Sequence, residues 1–125
     1  MKKILIVEDD RKISLALSLR LKAHGYEVLT AFDAVAGVSM SVKHRPDLVI
    51  LDISLPAGSG FDVANRINLA MTVGMPMIFI TASSNPEFQS KAEQLGAAAF
   101  LRKPFNDGEL IAAVRQALGE EQQRP

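Results

Sequence analysis

Val49-Ile50-Leu51-Asp52 is the stretch that decides the fold of this chain. Three apolar residues, two of them β-branched, run straight into one aspartate, and Ile53-Ser54-Leu55-Pro56 follows. Consecutive apolar side chains describe a strand buried on both faces. A carboxylate at the end of such a strand is costly to desolvate unless something compensates it. Asp52 therefore belongs at the open edge of a sheet, inside a charged site, or both.

Working outward, the same punctuation recurs along the chain. Lys3–Val7 predicts a buried strand that gives way to Glu8-Asp9-Asp10. Arg11 to His24 predicts a helix with Ile13, Ala16, Leu17 and Leu21 on its apolar face and Gly25 as its stop. Asp10 is expected to cap that helix rather than to join the two acids before it. Tyr26–Ala31 is a second strand, and Asp33 caps a helix from Ala34 to about Lys43 that Arg45-Pro46 ends. The third strand is Asp47–Leu51. Pro56, Gly58 and Gly60 mark a loop before a helix from Phe61 to about Met71, with Phe61, Ala64, Ile67 and Asn68 along its stripe. Pro76–Thr81 is a fourth strand. Asn85-Pro86 opens a helix running to Leu95 before Gly96. Ala98–Arg102 is a weak fifth strand, and Asn106 or Asp107 caps a last helix from Glu109 to Leu118. Strands alternating with helices over short connections predict an α/β fold, a doubly wound five-stranded parallel sheet covered by helices on both faces. Residues 1–119 form the expected domain, and 120–125 a polar tail or the start of a linker.

Composition narrows the function. Of 125 residues, 48% are hydrophobic, which argues against disorder. Fourteen basic residues balance fourteen acidic ones, so nothing favours direct nucleic-acid binding or attachment to a membrane surface. The absence of cysteine excludes disulfides, thiolate metal sites and cysteine nucleophiles. The apolar run after Lys2-Lys3 stops at Glu8, too early for an export signal, and no stretch approaches the length of a membrane helix. A cytoplasmic location is the expectation.

Ligand sites in such sheets lie beyond the carboxyl ends of the strands, where the strand order reverses. Those ends carry Glu8 and Asp9, Asp52, Thr81 with the small Ala82, and Lys103 followed by Pro104. Three converging carboxylates raise one another's pKa, and a divalent cation relieves the repulsion. An all-oxygen set without histidine or cysteine favours a hard ion, and few carboxylates plus water suit magnesium, a frequent partner of phosphate. Lys103 adds a point charge and Thr81 a hydroxyl donor. These are the parts that phosphoryl transfer to Asp52 needs. Each group alone has a plainer reading: Asp52 as a strand-end cap, Glu8-Asp9 as a solvated turn, Thr81 as a strand residue, Lys103 as a solvated lysine. Their joint occurrence at strand ends favours the site.

In sequence order, Ile6-Val7-Glu8-Asp9-Asp10, Leu51-Asp52-Ile53-Ser54-Leu55-Pro56-Ala57-Gly58-Ser59-Gly60, Ile80-Thr81-Ala82 and Lys103-Pro104-Phe105 together resemble the receiver domain of two-component response regulators, the CheY-like family. The resemblance covers Lys2 to about Leu118. It implies the flavodoxin-like strand order 2-1-3-4-5 and a Lys103-Pro104 bond in the cis form. It implies that Asp52 accepts a phosphoryl group from a histidine kinase or a histidine phosphotransfer protein, in a reaction the domain itself catalyses along with dephosphorylation. Magnesium would be held by Asp9, Asp52 and the backbone carbonyl of Ser54, with Glu8 acting mainly through water. Thr81 and Lys103 would contact the phosphoryl group. Thr81 and Phe100 would form the switch to the face of the fourth helix, fifth strand and fifth helix, although Phe100 also fits as a core aromatic. Ser54 and Ser83 occupy positions that tune phosphoryl lifetime, and two small serines predict no long-lived phosphoaspartate. Lys12, Ile13, Ala16, Pro104 and Phe105 are the expected kinase-docking surface.

The output lies outside the reading: an unknown output domain or downstream protein, and a phosphorylation-dependent dimer, both stay open. Ala98 and Ala99 stand where members that dimerise for DNA binding commonly carry paired acids. A degenerate receiver acting only as an interaction module is the alternative. An aspartate-nucleophile phosphohydrolase is disfavoured by Ser54, and a dinucleotide-binding fold by acids where a Gly-rich turn would follow the first strand. His24 and His44 are placed at helix ends without catalytic roles. The five methionines are expected to be packing residues, with Met71, Met75 and Met77 flanking a loop where partial exposure is open.

Overall fold

The computed structural model describes residues 1–56, 58–71 and 74–120. Among them, strands and helices alternate strictly: β1 (Lys3–Val7), α1 (Arg11–Ala23), β2 (Glu27–Ala31), α2 (Ala34–His44), β3 (Leu48–Asp52), α3 (Gly60–Ala70), β4 (Met77–Thr81), α4 (Pro86–Gln94), β5 (Ala99–Arg102) and α5 (Asp107–Ala117). The strands pair in parallel in the order β2-β1-β3-β4-β5. The order runs one way from β1 to β2 and the other way from β3 to β5. A crevice therefore opens between the carboxyl ends of β1 and β3.

Period-two alternation sends each strand's side chains to two separate cores. Leu5, Val7, Val49, Leu51 and Phe79 face Phe61, Ala64 and Ile67 of α3 and Ala34 of α2. Ile4, Ile6, Ile50, Ile78 and Ile80 face Leu17 and Leu21 of α1 and Leu110 and Val114 of α5. β1, β3 and β4 have both faces covered, which is why their sequences are apolar without interruption. The edge strands β2 and β5 are only half-buried along most of their length. The Tyr26 hydroxyl, at the entry to β2, donates to Glu120 Oε1 beyond α5 at 2.9 Å.

Each helix starts on a side-chain cap that satisfies free backbone N–H groups. Asp10 accepts from the N–H groups of Lys12 and Ile13, Asp33 from Ala36, Asn85 from Glu87 and Asn106 from Glu109. Ser59 and Asp62 form a reciprocal capping box at α3. Asn106, not Asp107, is the cap of the last helix. α2 ends on Arg45, the one non-glycine residue at positive φ among those described, and Pro46 prevents further helix.

Three expectations need correction. The buried face of α1 is Ser14, Leu17, Ser18 and Leu21, while Ala16 is exposed and Leu15 and Leu19 are each 60% exposed. Small serines let the helix approach the sheet, and the Ser18 hydroxyl is satisfied locally by the Ser14 carbonyl at 2.8 Å. In α3, Val63 takes the buried place given to Asn68, which faces solvent. Met77 is buried inside β4, and Met71 and Met75 are half-buried. Asp52 is itself the last residue of β3 and is fully within its backbone ladder. The Lys103-Pro104 bond is cis, as expected. Ala57 and the tail residues 121–125 lie outside the described residues.

Candidate functional site

Strand register delivers the acidic groups side by side. Val7 pairs with Leu51, so Glu8 and Asp52, each the next residue, stand level across the β1–β3 crevice. Asp52 pairs with Ile80 and Thr81 with Arg102, which sets Thr81 and Lys103 one step further out on β4 and after β5. The Lys103 N–H donates to the Thr81 carbonyl at 2.7 Å and continues the ladder to the site.

Four of the predicted side chains are brought together. The Lys103 ammonium donates to Glu8 Oε1 at 2.5 Å and to Asp52 Oδ2 at 2.9 Å. Glu8 is 1% and Asp52 5% exposed, so both carboxylates are withdrawn from water and need this cation. The second oxygen of each is also engaged: Glu8 Oε2 accepts from the Asp10 N–H at 3.1 Å, and Asp52 Oδ1 from the Ser54 N–H at 2.9 Å. Asp9 is exposed and, among the described residues, makes no hydrogen bond or ion pair. Ligand oxygens of Glu8, Asp9 and Asp52 lie within 4.8 Å of one another.

Burial pushes the Glu8 carboxyl up from 4.5 to about 7, and neighbouring Asp52 adds to the rise against the lowering effect of Lys103. Burial alone would lower the Lys103 ammonium, but its bonds to Glu8 and Asp52 outweigh that and hold it above its ordinary value. With all three carboxyls ionised, one ammonium leaves an excess of two negative charges in the crevice. That deficit, and a donor set of oxygens only, fit one hard divalent cation.

The remaining candidates stand around this cluster. Thr81 is fully buried, and its hydroxyl accepts from the Ser83 N–H at 3.0 Å; among the described residues it is not hydrogen-bonded to Asp52 or Lys103. Phe100 is half-buried and packs on the core cluster that contains Phe79 and Ala92. Ser54 and Ala82 are exposed, and Ser83 is half-buried. Ile13 and Phe105 are half-buried on the other core cluster, with Lys12, Ala16 and Pro104 exposed. His24 caps α1 and pairs with Asp107 at 3.2 Å, and His44 ends α2; neither is among the site groups.

Sequence reasoning passed over two contributors. The Asp10 backbone N–H holds Glu8, although Asp10 was noted only as a helix cap. Gly60 lets α3 begin against the strand end: its N–H donates to the Ile53 carbonyl at 2.9 Å, and a Cβ there would overlap the Asp52 carbonyl oxygen. The Gly58-Ser59-Gly60 spacing signalled a loop, but a loop glycine and a close-approach glycine look alike in sequence.

Comparison with known proteins places this geometry. The family described as Response regulator receiver domain matches residues 4–115. The DNA-binding dual master transcriptional regulator RpaA of Synechocystis sp. is 36% identical over 119 residues, covering 94% of this chain and 49% of the relative. The transcriptional regulatory protein PdtaR of Mycobacterium tuberculosis is 36% identical over 118 residues, covering 94% and 57%. The chain thus spans about half the length of these curated relatives. A CheY-like receiver domain protein from Methanospirillum hungatei superimposes with a TM-score of 0.89 at 30% identity, over 96% of this chain and 95% of that one. Vibrio cholerae chemotaxis protein CheY4 gives 0.86 at 30% identity, over 94% and 99%.

Proposed function

Because the chain belongs to the response regulator receiver domain family, whose members are the phosphoacceptors of two-component systems, we propose that Asp52 is its phosphoacceptor. The observation that carries this reading is the Lys103 ammonium shared between Asp52 and Glu8 beside the exposed Asp9. A carboxylate oxygen of Asp52 attacks phosphorus in line, and the bond from phosphorus to the donor imidazole nitrogen breaks. The donor leaves with its electron pair and takes up a proton. Phosphoryl transfer asks little covalent chemistry of the protein beyond positioning and charge neutralisation. Lys103 supplies one positive charge to the incoming oxygens, and Thr81 supplies a hydroxyl once it exchanges its bond with Ser83. Asp9, Asp52 and the Ser54 carbonyl would hold magnesium, with Glu8 acting through water, and its charge supplies the remaining neutralisation. Water then hydrolyses the acyl phosphate and returns Asp52 to its carboxylate.

The phosphodonor is a histidine kinase or histidine phosphotransfer protein docking over Ile13 and Phe105 beside Lys12, and residues 1–119 act as the receiver unit. Phosphorylation draws Thr81 inward, Phe100 repacks, and the surface of α4, β5 and α5 changes. Only contacts that differ between the two states can drive this, a coupling of about 1–3 kcal/mol. The output partner is a downstream domain or protein. The test is phosphorylation by acetyl phosphate with magnesium, read by intact mass. Wild type is expected to gain one phosphoryl group and Asp52→Asn none. An Asp52→Asn protein still labelled at a single acid-labile site would overturn the assignment.

A further inference from the structure

We propose that the outward stripe of α1 made by Arg11, Leu15, Leu19 and Lys22 is a docking surface for an acidic amphipathic helix of a partner protein. Beside Leu17 and Leu21, α1 buries Ser14 and Ser18, while Leu15 and Leu19, one turn apart, are each 60% exposed. Close approach to the sheet explains the serines, but not why leucine fills two outward positions that any polar residue could take. Single exposed apolar side chains need no explanation, whereas two on one stripe make a patch. The charge is as uneven as the hydropathy. Four of the fourteen basic residues and none of the fourteen acids fall within α1. Arg20 and Lys22 suit the carboxyl end of the helix dipole, but Arg11 and Lys12 stand at its positive end, where cations are disfavoured. All four are exposed, and among the described residues none makes an ion pair.

Geometry separates this stripe from the surface given above to the phosphodonor. The four residues of the stripe share one side of the helix. The Arg11 guanidinium lies 4.0 Å over the Phe32 ring, just beyond β2, so that side overlooks the edge strand. Ile13 falls on the opposite flank and, like Phe105, packs on the core beneath α1 and α5. Stacking fixes the plane of the guanidinium and leaves its N–H edges free for a carboxylate. Glu27, the one acid of β2, pairs instead with Lys3 at 3.8 Å. Cations at both ends of a leucine pair complement a helix with two apolar residues one turn apart and carboxylates beside them. A second copy would bring cations against cations, since a two-fold dimer pairs a patch with itself. A lipid surface needs more apolar area than two leucines already partly seated on their own domain.

The experiment titrates the whole chain, isotope-labelled for amide NMR, with a designed helical peptide of about five turns that carries leucine pairs on one stripe and glutamates on both flanks. A scrambled peptide of the same composition is the control. Amide shifts are expected at Arg11, Leu15, Leu19 and Phe32, with a Kd of about 0.1 mM or tighter. Binding should weaken several-fold from about 0.01 to 0.15 M salt, as the charge pairs are screened. Leu15→Ser with Leu19→Ser, and separately Arg11→Gln with Lys22→Gln, should each weaken it about tenfold or more. The leucine variant should keep the wild-type Tm and rate of phosphorylation by acetyl phosphate, since neither leucine is among the site groups. No shifts at about 1 mM peptide, equal binding of the scrambled peptide, or shifts on α4, β5 and α5 instead would overturn the proposal. So would leucine-dependent sedimentation with phosphatidylglycerol vesicles, or a leucine-dependent dimer in analytical ultracentrifugation, which would assign the stripe to a membrane or to a second copy. A leucine variant that fails to fold would place the leucines in the core and equally overturn it. The titration stands apart from the phosphoacceptor reading: a wild-type chain that takes up no phosphoryl group would sink that reading and leave this one to the peptide.

Discussion

Raising the pH of the metal-free protein should destabilise it, and Glu8 sets the window. Its carboxyl titrates at about 7 in the folded chain, chiefly because it is buried, against 4.5 ordinarily. The folded state therefore holds this proton more tightly than the unfolded chain does. Stability from that difference is fully present below 4.5 and is lost as the pH rises through about 7. A displacement of that size corresponds to at most about 3 kcal/mol, and sharing of charge with Asp52 and Lys103 reduces it to about 1–3 kcal/mol. Lys103 does not oppose the trend, since its raised value keeps it charged throughout. At about 4 °C per kcal/mol for a domain of this size, Tm in EDTA should fall by about 4–12 °C between pH 5 and 8. Circular dichroism melts of wild type and Glu8→Gln across that range provide the assay, the variant subtracting every other titrating group. Its Tm should vary less with pH than that of wild type. Parallel curves, or a wild-type Tm that climbs toward pH 8, would refute the reasoning. Magnesium adds a second check: it should raise Tm more at pH 8, where Glu8 is ionised, than at pH 5.

Gly60→Ala should cost about 1–3 kcal/mol in urea unfolding, because the added methyl meets the Asp52 carbonyl and forces α3 outward. A midpoint equal to wild type would show that the strand end yields freely. The Ser14 hydroxyl is buried without a partner among the described residues, whereas that of Ser18 is bonded to the Ser14 carbonyl. Ser14→Ala should accordingly be neutral or stabilising, by up to about 1 kcal/mol, and Ser18→Ala destabilising by a similar amount; the reverse order of melting temperatures would contradict this. On the proposed phosphoacceptor reading, an exposed Ser54 and a half-buried Ser83 leave an acyl phosphate at Asp52 open to water, so decay followed by phosphate release should be complete well within many hours.

Legibility in the sequence followed the physics of each element. β1, β3 and β4 were readable because a strand covered on both faces has to be apolar throughout, and β1 and β3 run directly into acids. The helix starts were readable because Asp33, Asn85 and Asn106 are residue types that satisfy free N–H groups. The face of α1 was readable only in part: Leu17 and Leu21 are buried as expected, but Ala16 is exposed and Ser14 and Ser18 are buried in its stead. Leu15 and Leu19 are as apolar as Leu17 and Leu21, so periodicity could not say which stripe meets the sheet. Ser14 and Ser18 decide it by their size, a matter of close approach and not of hydropathy. Within the site, residue types announced a charged cluster, but not that Lys103 leans toward Glu8. That geometry depends on the level stance of Glu8 and Asp52 across two strands, which local sequence does not encode.

The bond between Lys103 and Glu8 joins residues 95 positions apart. On a growing polypeptide Glu8, Asp9 and Asp52 emerge first, and their ammonium comes only after most of the chain has been made. Until then Glu8 and Asp52 lack the ammonium that bridges them in the folded chain. A fragment ending before Lys103 holds these acids without the cation that compensates them, and on the proposed phosphoacceptor reading it should take up no phosphoryl group.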